Sequence, residues 1–316
     1  MKIRFILNPT SGRNRRRPTL AADLRRFISA HSLDADLVLT EGPGHATALA
    51  RTSALAGCAQ VVAVGGDGTM NEVAQALLHT PTALALVPCG SGNGLALHLG
   101  LPTSLPAALA LIAHSGPPTR VAALDTGSVN GRPFFNAMGL GLDADVSLRF
   151  NTLTRRGLPA YARTAVAALR ELRPERVTIV SHGQRQTLDI LLVAIANSDQ
   201  YGNNARIAPG ARVDDGLLDL IAVQPVGVLG SVGLAARLFL GRFDRSSHVR
   251  RLSGAHFQIE RSSPGLIHTD GETHHLPATL EIAVHPRSLH LLVPAATRAV
   301  AQAHDLAPAG FAFSTP

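Results

Sequence analysis

Lysine is almost missing from this chain of 316 residues: Lys2 is the only one, and the other 28 of the 29 basic residues are arginines. A phosphate loop of the Walker type needs a lysine after its glycines, and a protein-kinase fold needs one on its third strand. Neither position can be filled, which excludes two large classes of nucleotide enzyme. Tryptophan is absent and aromatics make up 4% of the chain, so stacking platforms for single-stranded nucleic acid are scarce. Zinc-finger spacing, an aromatic RNA-binding box and a heptad-plus-basic region are also missing. The two cysteines, Cys58 and Cys89, are too few for a disulfide scaffold and lie beside apolar runs, as reduced thiols of a cytosolic protein do. No apolar stretch reaches membrane-spanning length without a charge or a Pro or Gly cluster, and Met1 to Asn8 reads as a short strand rather than a leader. The expected location is the cytoplasm, with room for contact at a membrane surface.

Apolar residues are 46% of the chain and charged residues 16%, ample for a buried core and, at this length, for about two domains. The net charge of +7 points to an anionic partner: a nucleotide, nucleic acid or an anionic lipid surface. The aromatic count argues against nucleic acid.

The first third alternates strand and helix. Apolar runs at Ile3–Leu7, Leu37–Leu39, Gln60–Val64 and Ala83–Val87 are separated by helical spacing over Thr19–Ser29, His45–Leu55 and Thr69–Leu78, with a short helix at Gly94–Leu99. This order predicts an open parallel sheet with helices on both faces. Near Thr119 the character changes to short β-like pieces: Val121–Leu124, Pro133–Ala137, Val177–Ser181, Leu188–Ala196, Leu217–Val223, Ala255–Ile259, Ala278–Val284 and Leu289–Val293. Helical segments interrupt them at Tyr161–Leu172 and Gly227–Leu240, and the tail over Thr297–Asp305 reads as helical. The expected division is an α/β domain over 1–120 and an antiparallel β-rich domain over 121–294.

The strongest motif is Gly65-Gly66-Asp67-Gly68-Thr69-Met70-Asn71-Glu72, at the end of one buried strand. A glycine turn opening a helix lets backbone N–H groups and the helix dipole meet phosphate. Asp67 beside those phosphates could hold Mg²⁺, steer an acceptor hydroxyl, or simply cap the turn. The next strand ends in Cys89-Gly90-Ser91-Gly92-Asn93-Gly94, the first in Asn8-Pro9-Thr10-Ser11-Gly12-Arg13, and the second reaches Thr40. Parallel strands bring these four ends to one edge, where open α/β sheets bind ligands.

In the second half, Asp214-Asp215-Gly216-Leu217-Leu218-Asp219-Leu220 is an acidic turn that suits a cation or a solvated hairpin equally. His268-Thr269-Asp270-Gly271-Glu272 sets two carboxylates about a glycine; one could act as general base, although the spacing alone reads as an Asp-Gly hairpin. Gly139-Leu140-Gly141-Leu142-Asp143-Ala144 mimics a dinucleotide fingerprint but has no βαβ unit around it. The run His268, Asp270, Glu272, His274, His275 has metal-ligand residue types, which strand alternation explains more simply.

Together these strings resemble the diacylglycerol-kinase catalytic-domain superfamily in its soluble bacterial lipid-kinase branch. The resemblance implies a nucleotide domain similar to those of NAD kinases and phosphofructokinases, a C-terminal β-sandwich, a cleft site between them, and a tail over about 295–316 that returns to the first domain. It implies ATP held by Asn8, Pro9, Thr10, Ser11, Gly12, Thr40, Gly65, Gly66, Asp67, Gly68, Thr69, Asn71 and Ser91. Asp67 would face the phosphates and catalytic Mg²⁺, and Asp125 would be a second acidic group at the cleft. A structural Mg²⁺ would rest on Asp215 and the backbone of Leu218 and Leu220, and Glu272 would deprotonate the lipid hydroxyl. Ser91 stands where the family often has threonine, and arginines (Arg13, Arg15, Arg16, Arg17, Arg155, Arg156) replace lysines that meet anionic membranes. The implied partners are a membrane lipid and an anionic surface, with a homodimer left open. The rivals are a NAD kinase and an inactive nucleotide- or membrane-binding module.

Overall fold

The protein is described by a computed structural model over residues 1–114, 116–151, 174–297 and Val300. Strands β1 (Ile3–Leu7), β2 (Ala35–Leu39), β3 (Gln60–Gly65) and β4 (Ala83–Pro88) run parallel in the order β2-β1-β3-β4. Every residue of β3 and β4 is buried, because helices cover both faces of a parallel sheet. Those helices are α1 (Leu20–Ala30), α2 (His45–Leu55), α3 (Asp67–Leu77), α4 (Gly94–His98) and α5 (Leu105–Ile112). Their apolar residues close one core around Phe5, Val62, Leu84 and Leu95.

The sheet then continues into the second half of the chain. Strand β5 (Thr119–Val129) pairs antiparallel with the 16-residue β16 (Thr279–Pro294), which meets β4 in parallel at Leu291 and Leu84. The other half of β16 pairs with β13 (His256–Arg261), followed by β8 (Glu175–Ser181) and β9 (Gln184–Ile190), while β6 (Arg132–Phe134) hangs on β5. The sequence divides β16 into two strands because its register shifts between His285 and Leu289, where Arg287 takes a left-handed φ of 51°.

A second, six-stranded antiparallel sheet faces this one. Its order is β12 (Val249–Gly254), β11 (Leu218–Val223), β10 (Leu192–Ala196), β7 (Ala137–Gly141), β14 (Gly265–Thr269) and β15 (Glu272–Leu276). Phe134, Met138, Ile195, Leu220, Phe257 and Ile282 pack between the two sheets, making a β-sandwich. The tip of the Phe134 ring rests against Gly127, where a Cβ would come within 2.0 Å of it. Helices α6 (Leu142–Asn151) and α7 (Val228–Phe239) belong to this half of the chain. The apolar run at Leu188–Ala196 is two strands, not one: the backbone breaks at Leu191 and passes from one sheet to the other. The expected helix at Tyr161–Leu172, and Arg155 and Arg156, lie outside the described residues. Of the tail, Thr297 bonds the Leu99 carbonyl at 3.1 Å and Val300 is buried in the first core.

Candidate active site

The carboxyl ends of β1, β3 and β4 converge, and hydrogen bonds lock their turns together. Asn8 accepts from the Thr10 backbone at 3.0 Å and donates to Thr69 Oγ1 at 3.1 Å. Ser11 Oγ accepts from Gly66 N at 2.8 Å. Buried Asn14 donates to the carbonyls of Asn8 and Val64. Gly12 is glycine for two reasons: its φ is +45°, and a Cβ would lie 2.2 Å from the Cys89 carbonyl oxygen. Thr40 is buried, its N–H bonded to Leu7 O at 2.9 Å. Gly68 and Ser91 remain exposed at the mouth, and Asn71 Oδ1 is buried with no hydrogen-bond partner among the described residues. The backbone N–H groups of the glycine mouth and of the start of the 11-residue α3 form a cradle that fits a polyphosphate, whereas the orphaned Asn71 oxygen, an acceptor, suits a donor group of a bound ligand and not its phosphates.

Asp67 is the cross-tie of this edge. Its Oδ2 accepts from Asn93 N at 2.8 Å and its Oδ1 from Gly94 N at 2.9 Å, so it caps α4 from a neighbouring turn. Helix α3 begins at Asp67, two residues before the expected start. Burial pushes the Asp67 carboxyl above its ordinary range, opposed by those N–H groups. The β4 turn also meets the sandwich half. Asn93 pairs with Gly202, Asn203 N donates to Gly92 O at 3.3 Å, and His98 Nδ1 lies 2.7 Å from Asp199 Oδ1.

Across from these loops, Asp270 and Gly271 form the hairpin turn between β14 and β15, both with positive φ, as a tight Asp-Gly turn requires. The Asp270 carboxylate is buried beneath the turn and accepts from the N–H groups of Phe135, Asn136 and Ala137 at 2.7 to 3.0 Å. Burial nevertheless pushes its pKa up to about 6. Asp270 thereby fixes where Glu272 emerges. Glu272 keeps an exposed side chain. Partial desolvation raises its pKa, and the nearby Glu72 carboxylate of α3 adds to the shift. Glu72 is itself held by the N–H of Ala46, at 3.0 Å.

Beneath the turn lies a buried group that the sequence reading did not assign. His268 Nδ1 accepts from Gly271 N at 3.2 Å, and its Nε2 faces Asp143 Oδ2 at 3.0 Å. The Tyr201 hydroxyl donates to the same oxygen. Gly139 makes room for both side chains, since a Cβ there would lie 2.2 Å from Asp143 Oδ2 and 2.7 Å from His268 Nε2. The fingerprint-like Gly139–Ala144 string is thus a packing device at the entry to α6. His274 bonds Thr269 Oγ1 at 3.0 Å and His275 is exposed, so the histidine run is dispersed. Among the described residues no three His, Cys, Asp or Glu side chains gather for a metal.

Asp125 is placed differently from a cleft-facing acid. It is 2% exposed, and its two oxygens accept from Gly216 N at 2.7 Å and Arg287 N at 2.8 Å, tying the acidic turn to the β16 bulge. Burial and the neighbouring Asp214 raise its pKa. Asp215 is exposed and is also pushed up, by burial and then by Asp219, Asp125 and Asp214. Arg212 pairs with Asp214 and Arg251 with Asp219, which leaves Asp125 and Asp215 repelling each other. Carboxylate and carbonyl oxygens on a turn with surplus negative charge fit a hard divalent cation. Leu218 and Leu220 would offer it backbone oxygens only, for their side chains are in the sandwich core.

A parallel sheet whose glycine turns converge, with a carboxylate presented from a β-sandwich opposite, defines a nucleotide-dependent phosphotransferase. Residues 2–145 match the diacylglycerol kinase catalytic domain, and residues 136–293 the YegS C-terminal NAD kinase beta sandwich-like domain. A Bacillus subtilis protein named "Diacylglycerol kinase" is 30% identical over 279 residues, 86% of this chain and 89% of that one. A Pseudomonas putida protein named "Probable lipid kinase YegS-like" is 33% identical over 266 residues, 82% and 85% of the two chains. A solved structure of a Bacillus anthracis diacylglycerol kinase shares the fold, with a TM-score of 0.71 at 21% identity over 94% of this chain and 98% of its own. The chain belongs to the diacylglycerol kinase family of lipid kinases, phosphotransferases that use an alcohol group as acceptor. Among its described residues, no helix is long and apolar enough to cross a membrane.

Proposed function

We propose that this protein transfers the γ-phosphoryl group of ATP, with Mg²⁺, to a hydroxyl of diacylglycerol or a closely related lipid at a membrane surface. The observation that carries this reading is Glu272: an exposed carboxylate on the hairpin that Asp270 anchors, close enough to Glu72 of the nucleotide helix for that charge to raise its pKa further. A carboxylate so placed takes the proton of a lipid hydroxyl as its oxygen attacks phosphorus, and a raised pKa makes it a stronger base at neutral pH.

The phosphates would enter the cradle of Asn8 to Gly12 and Gly65 to Asn71, with Ser91 at its rim. Asp67 holds the β4 turn against α3 so that the cradle keeps its shape. Arg15 donates to Thr10 O at 3.3 Å, and Arg13 and Arg17 lie near enough to Cys89 to oppose the burial that raises its thiol pKa. These exposed arginines take the place of the missing lysine opposite the phosphates. Bound Mg²⁺ would supply further neutralisation of charge on the transferring group. The Asp215 turn would hold a second, structural ion.

The test is transfer of label from γ-labelled ATP with Mg²⁺ in mixed micelles of diacylglycerol, monoacylglycerol, phosphatidylglycerol, sphingosine or ceramide, with NAD as a separate acceptor. Label should enter one lipid, and Glu272→Gln should lower kcat about a hundredfold or more while ATP binding persists. Label entering NAD alone would overturn the reading.

A further inference from the structure

Helix α7 has no polar face. Its 12 residues carry one charge, Arg237. Leu234 turns inward and is 8% exposed, joining a cluster with Ala194, Ile221, Phe243 and Val249 on the face of the six-stranded sheet away from the sandwich core. The opposite side of the helix should then be polar if water were its only neighbour. Instead Val232 is 66% exposed, Phe239 43% and Leu240 69%, with exposed Ala235 and Ala236 between them. These positions follow the i, i+3, i+4, i+7, i+8 spacing of one continuous stripe. Among the phenylalanines whose side chains are described, Phe239 alone is exposed.

The unpaired charges beside the stripe are all of one sign. Arg237 flanks it, and Arg242 and Arg245 follow on the next turns, all three exposed and without an ion pair among the described residues. The nearby acid, Asp244, is engaged by Arg251. An exposed apolar patch rimmed by arginine fits an anionic bilayer surface, where the stripe enters the headgroup boundary and each arginine near the surface adds about fivefold to partitioning. A second copy of the chain fits less well, because a two-fold contact through this stripe would bring arginine against arginine. At ~1.5 Å per residue the helix is too short to span a bilayer and would lie along it.

We infer that α7 is a membrane-docking helix that seats the protein on anionic lipid through Val232, Phe239 and Leu240, with Arg237, Arg242 and Arg245 on the headgroups. The inference rests on the lipid-kinase reading above and gives that site a direction of approach. Tyr201, which bonds Asp143 below the Glu272 hairpin, packs in the same cluster as the inner face of α7. Docking through α7 therefore lowers onto the bilayer the sheet face that carries Asp143, His268 and the hairpin. This surface is separate from the arginines at 13–17, which stand over the nucleotide loops.

The test compares the full chain with Val232→Asp/Phe239→Asp. Both positions are exposed, so the fold has no reason to change, and melting temperature checks this. Co-sedimentation is measured with phosphatidylcholine vesicles with and without phosphatidylglycerol, and turnover with a short-chain, monomeric diacylglycerol and with diacylglycerol in those vesicles. The wild type should bind vesicles containing phosphatidylglycerol. The double variant should lose about tenfold or more in binding and in vesicle turnover, with monomeric turnover unchanged. Vesicle binding by the variant equal to wild type would overturn the docking face, as would a wild type that does not bind or a dimer that the variant dissociates. Loss of binding in a variant pair that phosphorylates neither form of the lipid would uphold the docking face and sink the proposed reaction instead.

Discussion

Glu272, at the start of β15, lies near enough to Glu72, in α3, for the Glu72 charge to add to the desolvation that lifts the Glu272 pKa. A general base must be ionised to act, so its pKa sets the acid limb of kcat/KM. Removing a like charge lowers the pKa of the group that remains. Glu72→Gln should therefore move the acid limb to lower pH, while the amide oxygen still accepts from Ala46 N. An unmoved limb would mean that the titrating base is not Glu272.

Buried Asp143 accepts from the Tyr201 hydroxyl and lies 3.0 Å from Nε2 of the buried His268 ring. Asp143→Ala leaves a buried histidine and a tyrosine without an acceptor, which should cost about 3 kcal/mol or more. Asp143→Asn keeps the shape and one acceptor oxygen, so its loss should be smaller. Denaturant unfolding of the two variants measures this, and equal losses would show that the oxygen is not what matters. If the group positions Glu272, Asp143→Asn should also lower kcat at unchanged ATP affinity.

The first half of the fold was legible because parallel strands announce themselves as unbroken apolar runs closed by glycine turns. Helix α2 and strand β3 fall where the spacing places them. Strands β12, β14 and β15 were not, and their residues show why. β12 contains Val249-Arg250-Arg251-Leu252, with Arg251 engaged by Asp219 and Asp244, so its polarity hides a paired strand. β14 and β15 carry buried His268 and half-buried His274, whose partners lie at Asp143 and Thr269, far away or across the hairpin. Of the candidate site, the glycine turns can be read locally, while the spacing offers Asp270 and Glu272 as a pair and only the family resemblance chooses Glu272 as the base. The capping role of Asp67, the burial of Asp125 between Gly216 and Arg287, and the match of Glu72 to Glu272 depend on contacts between distant segments. Spacing along one strand carries no record of those. Asp143 has a visible signal, the glycine-spaced string before it, which spacing alone cannot tie to His268 and Tyr201 because both lie far along the chain.

Mg²⁺ on the acidic turn, as the proposed function has it, would stabilise the native state by relieving the repulsion between Asp125 and Asp215. A ligand bound only by the folded chain adds roughly 2.7 kcal/mol at a hundredfold excess over its Kd. Mg²⁺ should therefore raise the melting temperature of the wild type, and Asp215→Ala should abolish most of that rise. Identical melting of both proteins with and without Mg²⁺ would remove the ion from this turn.

Asp270 should write a pH signature into stability. Its native pKa of about 6 stands above the ordinary 3.8, because burial outweighs three N–H donors and the nearby His268. Between those two values the native state binds a proton that the unfolded chain releases, so stability falls as pH rises. The sign is the reverse of a salt-bridged aspartate: the contribution is fully present below about pH 4 and is lost through pH 6. A separation of about two units corresponds to about 3 kcal/mol. Asp270→Asn does not titrate. Unfolding free energies of the two proteins, measured from pH 4 to pH 7, should therefore diverge by up to about 3 kcal/mol as the wild type alone loses this contribution. Parallel profiles would show that the three N–H groups hold the carboxylate ionised, and that the hairpin carrying Glu272 is anchored by a charge at every pH in that range.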